Sequence, residues 1–437
     1  MSDYIYMLEN HLSSDQSRVV QVVQAAAAQA NLNLFLTGGA MRDMLSGFPI
    51  RDLDFVVEGP ALKLANAIAD TGSAKILSCD ENRKSTEFVF SGGVTVQIAM
   101  SRQEKTARAG AKPQVSSATI QDHLRGRDFT CNAIALSLNK ASRGLLLDPM
   151  NGLADIERRE LRAINAYGFY DDPARLIRII RLSVRLGFTI EARTELQMQN
   201  ARLAEVEKSI TPQQFGEELR KIAYEDSPSE ILKQLDEAGL LSMFVPPLTG
   251  PKLNLAGFAK FEKQARLLPD GPNTRAARLD PFFAVLTEEF SPKDKQALMK
   301  GAELTKAEVD SWQKLEPKVK KLETALRSAR IRKASQVYQI VSAAEAGEIM
   351  LLLYRSEVKQ VQERLRNYFQ KYLPLTLEIT PEEFASIQAK PGTPKYQKAR
   401  EALIAHRLDR RPPRVAPEAP PPPPPPETAF ARGRGQR

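Results

Sequence analysis

The sequence predicts an α+β protein, with a small mixed-sheet head followed by an all-α remainder. Two observations carry this expectation. Between residues 32 and 99, apolar and polar residues alternate in short runs, the period of half-buried strands. From about Asp148 onward, apolar residues recur every three to four positions almost to the end, the period of amphipathic helices. At 437 residues the chain exceeds what one compact core organises, so several domains are expected.

Taken in order, residues 1–31 read as helical, with a modest apolar stripe from Val19, Val20, Val22 and Val23. Strands are expected over 32–37, 52–57, 75–78, 86–90 and 93–99, with a helix over 60–71. Ser91, Gly92 and Gly93 supply the turn between the last two strands. Residues 102–121 show no period and contain Gly110 and Pro113, so they read as a mobile basic loop. Helices are then expected over 152–163, 173–187, 191–208, 212–224 and 228–238. Lys318, Lys320, Lys321, Arg327, Arg330, Arg332 and Lys333 form either a solvated helix face or a surface for an RNA backbone. From Arg411 the composition collapses to proline and arginine, with seven prolines at 420–426, and extended disorder is expected. The boundaries that follow are a head over 1–147, a neck over 148–225, a body over 226–372, a helical tail over 373–410 and a disordered terminus over 411–437.

Composition narrows the function classes. A hydrophobic share of 42% with 26% charged residues is that of an ordinary globular protein. The formal charge of +9 favours polyanionic partners such as nucleic acid. Two cysteines, Cys79 and Cys131, in unrelated surroundings argue against a disulfide framework or a zinc site. His11, His123 and His406 are too dispersed for a histidine-based metal hydrolase. No apolar run approaches bilayer length and MSDYIYMLEN lacks the regions of a signal peptide, so no membrane partner and a cytoplasmic location are expected.

The stretch FLTGGAMRDMLSGFPIRDLDFVVEG carries the chemistry. Leu34, Phe35 and Leu36 read as a strand that runs into Gly38 and Gly39, and Ala40 to Leu45 as the helix after them. A glycine pair at such a turn lets backbone N–H groups approach a phosphate, and the helix N-terminus adds partial positive charge. One strand later, alternation sets Asp52 and Asp54 on the same face. Two carboxylates on one face are hard oxygen ligands suited to Mg²⁺. A nucleotidyl transfer needs two such ions, one to activate the attacking hydroxyl and one to hold the leaving pyrophosphate.

GGAMRD followed by RDLDFVV resembles the first signature of polymerase-beta-type nucleotidyltransferases, and more narrowly of the class II tRNA nucleotidyltransferase (CCA-adding) and bacterial poly(A) polymerase family. LRGRDFTCNAIAL, DPMNGLADIERRELRAI and DDPARLIRIIRLSVRLGF are similar to the family's next three motifs, in family order. TPQQFGEELRKI and LDEAGLLSMFVPPL resemble its helical neck and body. The resemblance implies a polymerase-beta-like head, Mg²⁺ at Asp52 and Asp54, and transfer of CMP and AMP from CTP and ATP to the 3′ end of tRNA. It also implies nucleotide-binding roles for Gly38, Gly39, Arg42, Arg127, Asp128, Asn132, Asp171, Asp172, Arg175 and Arg178. Of these, Arg127 would meet the triphosphate, Asp128 the ribose 2′-hydroxyl and Asn132 would orient the nucleotide.

The fourth motif supports a choice of base by hydrogen bonding. Pro173 in a first helical turn would place Asp171 or Asp172 at the N-cap, with Asp172 and Arg175 projecting side by side. A carboxylate only accepts and a guanidinium only donates. Cytosine and adenine both offer an amino donor beside a ring-nitrogen acceptor, whereas uracil and guanine offer the reverse. Such a pair therefore accepts C and A and opposes U and G, a discrimination on the order of 10⁴ when polar groups are buried. The alternative is an amphipathic helix whose Arg175, Arg178, Arg181 and Arg185 pair with local acids.

Four positions depart from the family pattern: Gln97 where a third carboxylate is usual, Gly126 where an arginine is usual, His123 where an acid is usual and Asp171 where a glutamate is usual. Two other functions therefore accompany the CCA reading: a poly(A) polymerase or partial (A- or CC-) adding enzyme, and a catalytically impaired RNA-binding relative.

Overall fold

The computed structural model describes residues 3–105, 114–269 and 271–410. Its head is built on one mixed sheet of seven strands. The N-terminal segment is two helices, α1 Asp3–His11 and α2 Ser14–Gln29, because Ser13 and Gln16 form a capping box that starts the second afresh. Then follow β1 Asn33–Thr37, α3 Gly38–Leu45, β2 Leu53–Glu58, α4 Ala61–Asp70, β3 Ala74–Asp80, β4 Ser85–Phe90 and β5 Thr95–Met100. After these come β6 Arg102–Lys105, β7 Gln114–Ser117, α5 Ile120–Arg125, β8 Ala135–Ser137 and β9 Leu146–Leu147. The sheet runs β3-β4-β5-β2-β1-β8-β9, with β2 and β5 parallel and the other neighbours antiparallel.

The alternation in β2 fixes what each face does. Leu53, Phe55 and Val57 are buried in the main core with Leu64 and Ile68 of α4 and Val20 and Val23 of α2. On the opposite face Phe35 and Val56 pack with Ile120 and Leu124 of α5. That face also carries Asp54.

Residues 102–121 are not a loop throughout. β6 and β7 pair as a polar two-stranded ribbon and α5 begins at Ile120; Gly110 and Pro113 lie outside the described residues. The proline-rich stretch 411–437 also lies outside them.

Beyond the sheet the chain is helical. α6 Gly152–Arg158 stops short of the expected residue 163 because Arg159 takes a left-handed conformation, φ 57°, and residues 160–161 form the short strand β10 Glu160–Leu161. α7 Gly168–Asp171 and α8 Arg175–Leu186 follow, and β11 Thr189–Ile190 pairs with β10. Next come α9 Ala192–Leu203, α10 Pro212–Ala223, α11 Pro228–Glu237, α12 Leu255–Ala265, α13 Pro272–Ala276, α14 Leu279–Leu286, α15 Pro292–Gly301 and α16 Lys306–Arg327. Gly216 of α10 lies so close to the next layer that a Cβ there would meet the Ala302 carbonyl at 1.9 Å. Residues 334–409 complete the fold with further helices. Among the described residues no single helix is long and apolar enough to cross a membrane, and both cysteines are free.

Candidate active site

β1 and α3 meet at the glycine pair. Gly38 adopts φ +64°, which favours glycine, and a Cβ there would come within 3.1 Å of Asp54 Oδ2 and 3.3 Å of Arg127 Nη2. The Gly39 amide donates to Asp54 Oδ2 at 3.2 Å. The turn, Asp54 and Arg127 thus share one small volume. Asp52 lies just before β2 and keeps solvent contact, although protein surrounds it on most sides. Burial and then the neighbouring Asp54 carboxylate push its carboxyl up to about 6. Burial raises Asp54 as well, against the pull of Arg127 and the Gly39 amide.

Two carboxylates held in this way have a surplus of negative charge, and both carry hard oxygen donors. That donor set fits a divalent cation. Among the described residues no group of three His, Cys, Asp or Glu converges to cage an ion, so Asp52 and Asp54 would hold one without a third protein ligand beside them. Cation binding requires the deprotonated pair. Mn²⁺ affinity is expected to be flat above pH 7 and to fall by about tenfold per pH unit below about 6, followed by titration at fixed protein concentration. A flat response between pH 5 and 7 would contradict the coupling.

Asp128 forms the second half of the site. It accepts from Asn132 Nδ2 at 3.0 Å and from Arg178 Nη1 at 3.1 Å. Burial alone would raise its carboxyl, but Arg178, Arg127 and Arg175 outweigh burial and hold it far below the usual carboxylate range. Arg42 and Asn132 are both 5% exposed and bonded to each other at 2.7 Å, so they lie in the wall of the site. His123 does not replace an acid: burial, Arg127 and Arg102 push it down to about 3, and it stays neutral.

Asp171 and Asp172 do not cap α8. Its N-cap is Ala174 with no side-chain cap bond; Asp171 ends α7 and Asp172 sits between the helices at φ −137°. Pro173 lies before the first helical residue, which shifts the boundary. Asp171 accepts from Asn165 at 3.3 Å. Asp172 and Arg175 are still neighbours, with Oδ2 3.7 Å from Nε, and Arg178 lies 3.5 Å from the same oxygen. Arg175 Nε is buried with no hydrogen-bond partner among the described residues.

Among the described residues, the arginines of α8 divide into three that hydrogen-bond to acids and one that does not. Arg178 and Arg181 donate to Glu218 at 2.9 and 3.1 Å, Arg181 donates to Glu225 at 2.8 Å, and Arg185 donates to Asp43. Arg51, next to Asp52, also donates to Glu225, at 2.7 Å. Among the described residues, Arg175 alone of the four has a buried guanidinium nitrogen without a hydrogen-bond partner. Gln214, Glu218 and Glu225 are the residues that the sequence reading missed. Gln214 completes the capping box of α10 with Thr211 and also donates to Asp172 Oδ1 at 3.3 Å. The four-residue spacing of Gln214 and Glu218 on α10 was the available signal, and Glu225 follows just after that helix ends.

A mixed sheet with a glycine turn facing two aspartates at the start of its neighbouring strand, closed by an arginine-bearing helix, defines a nucleotidyltransferase head. A family profile described as the poly A polymerase head domain matches residues 34–162. The chain is 28% identical over 380 residues to the A-adding tRNA nucleotidyltransferase of Halalkalibacterium halodurans, covering 84% of this chain and 86% of that one. It is 30% identical over 293 residues to the CC-adding tRNA nucleotidyltransferase of Deinococcus radiodurans, covering 65% and 73%. A CCA-adding enzyme in its apo form II shares the fold, with a TM-score of 0.53 at 22% identity over 93% of this chain and 95% of that one. The chain belongs to the class II tRNA nucleotidyltransferase family and is an enzyme of the nucleotidyltransferase class.

Proposed function

We propose that the enzyme adds CMP and AMP, from CTP and ATP, to the 3′ end of tRNA without a nucleic-acid template, and depends on Mg²⁺. The observation that carries this reading is the Asp172–Arg175 pair, with Arg175 Nε near Asp172 yet without a hydrogen-bond partner among the described residues. Asp172 is an acceptor for the exocyclic amine common to C and A, and Arg175 a donor to the ring nitrogen next to it. Gln214 and Arg178 restrain Asp172 from either side, and a Cβ at Gly168 would meet Arg175 Nη1 at 2.8 Å, so close packing restrains the guanidinium too. Asp128, kept ionised, is an acceptor for a ribose hydroxyl, and Arg127 faces the phosphates beside the glycine turn. Bound at Asp52 and Asp54, Mg²⁺ would neutralise the triphosphate and acidify the attacking hydroxyl.

An A-adding enzyme is the second reading, favoured by the match along 84% of this chain to a relative of that activity. An Asp–Arg pair admits both bases and does not separate the two. The test supplies tRNA ending at position 73, 74 or 75 with each labelled nucleotide. C, C and A on the shortest substrate supports the proposal, A on the position-75 substrate alone supports the second reading, and binding without extension would sink both. Arg175→Ala is expected to lower kcat/KM for CTP and ATP by about 10²-fold and to narrow their advantage over UTP and GTP. An unchanged preference would remove Arg175 from base choice.

A further inference from the structure

The row of the sheet that carries Asp54 continues across five strands. Thr37 pairs with Asp54, Asp54 with Gln97, Gln97 with Glu87 and Glu87 with Ser78. Residues directly opposite one another point to the same face of a sheet, so Gln97 and Glu87 stand on the face that bears Asp54. Strands lie about 4.8 Å apart, which sets the Glu87 backbone about 10 Å from that of Asp54. Gln97, between them, is exposed and neutral.

Glu87 is half-buried, and Ser78 Oγ donates to its Oε2 at 3.1 Å from the side away from Asp54. Among the described residues no lysine or arginine is paired with Glu87. The Tyr224 phenol at the end of α10 is raised first by burial and next by the Glu87 charge, which sets Glu87 in the cleft between the sheet and the neck helices. Glu104, the other acid in this region, differs on each point. It lies on β6 outside the main sheet and is neutralised by Arg102 at 2.7 Å and Arg83 at 3.6 Å.

We propose that Glu87 supplies, from one strand further out, the third negative charge that Gln97 cannot give to Asp52 and Asp54. The proposal rests on the metal-dependent reading above. At this separation Glu87 is a positioning residue: it acts through the water layer around a cation held by the aspartates and touches no substrate. Ser78 holds its carboxylate from the outer strand, so the charge acts across the strand spacing, and among the described residues no basic partner cancels it. The same arrangement explains how a neutral Gln97 is tolerated.

The test is Mn²⁺ binding to the full chain, counted by electron paramagnetic resonance, together with the Mg²⁺ dependence of nucleotide addition to tRNA. Glu87→Gln keeps the shape and an acceptor for Ser78 and removes only the charge. It is expected to weaken Mn²⁺ binding by about tenfold and to raise the Mg²⁺ requirement in parallel, with KM for the nucleotide unchanged. Glu87→Gln with Gln97→Glu is expected to recover both. Unchanged affinity in the single variant, or no recovery in the double variant, would overturn the proposal. If the wild type shows no Mn²⁺ binding that Asp54→Asn abolishes, the metal-dependent reading falls, and this proposal with it.

Discussion

Replacing Asp54 with asparagine is expected to lower nucleotide addition by about 10³-fold while leaving the fold intact. The side chains are nearly isosteric, and an asparagine oxygen still accepts the Gly39 amide that now bonds Asp54 Oδ2 at 3.2 Å. What disappears is one of the two carboxylates that would hold the cation. The loss should appear in kcat, because Arg127, Asp128 and the Asp172–Arg175 pair remain to bind the nucleotide. Extension of labelled tRNA in single-turnover conditions, with circular dichroism as a control for folding, makes the measurement. Activity within tenfold of the wild type would remove Asp54 from the chemistry.

Replacing Glu218 with glutamine is expected to cost stability rather than chemistry, by about 3–5 kcal/mol in a urea titration. Glu218 is fully buried and accepts from Arg178, Arg181 and Lys221. A neutral amide leaves the buried Arg181 and the largely buried Arg178 without their shared counter-charge, while Lys221 can turn to solvent; stranding the two guanidinium groups is the costly way to break a buried pair. Burial would raise the Glu218 carboxyl, but Arg181, Lys221 and Arg178 together hold it far below its ordinary value of 4.5. The sign of the pH effect follows. The contribution is complete above about 4.5 and is lost as pH falls towards the lowered value, so the wild type should lose stability in acid more steeply than the glutamine variant. A loss below 1 kcal/mol, or equal acid sensitivity, would show that the arginines find other partners.

β1, β2, β4 and β5 of the head were legible because the sheet buries many of their side chains and the apolar pattern survives in the residues themselves. β2 is the clearest case, with Leu53, Phe55 and Val57 in the core and Asp54 opposite. β6 and β7 were not legible, since four residues each with Val115 as the one apolar side chain leave no period to read. The end of α6 turns on one left-handed arginine, Arg159, a backbone choice that arginine does not announce. In the site, the glycine turn and its aspartates are local in sequence and could be read together. The partners of α8 are not: Arg178 and Glu218 are 40 residues apart, and Arg181 and Glu225 are 44. Only folding shows which acids answer which arginines.

The mutual dependence of α8 and α10 also sets how the enzyme can be recombined. Arg178, Arg181 and Arg185 draw their counter-charges from Glu218 and Glu225, and Asp172 leans on Gln214 at the start of the same helix. A base-choosing helix transplanted from a relative would therefore arrive without its acids and strand its arginines in the interior. The transferable module is the pair of helices, exchanged together, with Arg51 and Asp43 of the head as the sockets into which it must plug.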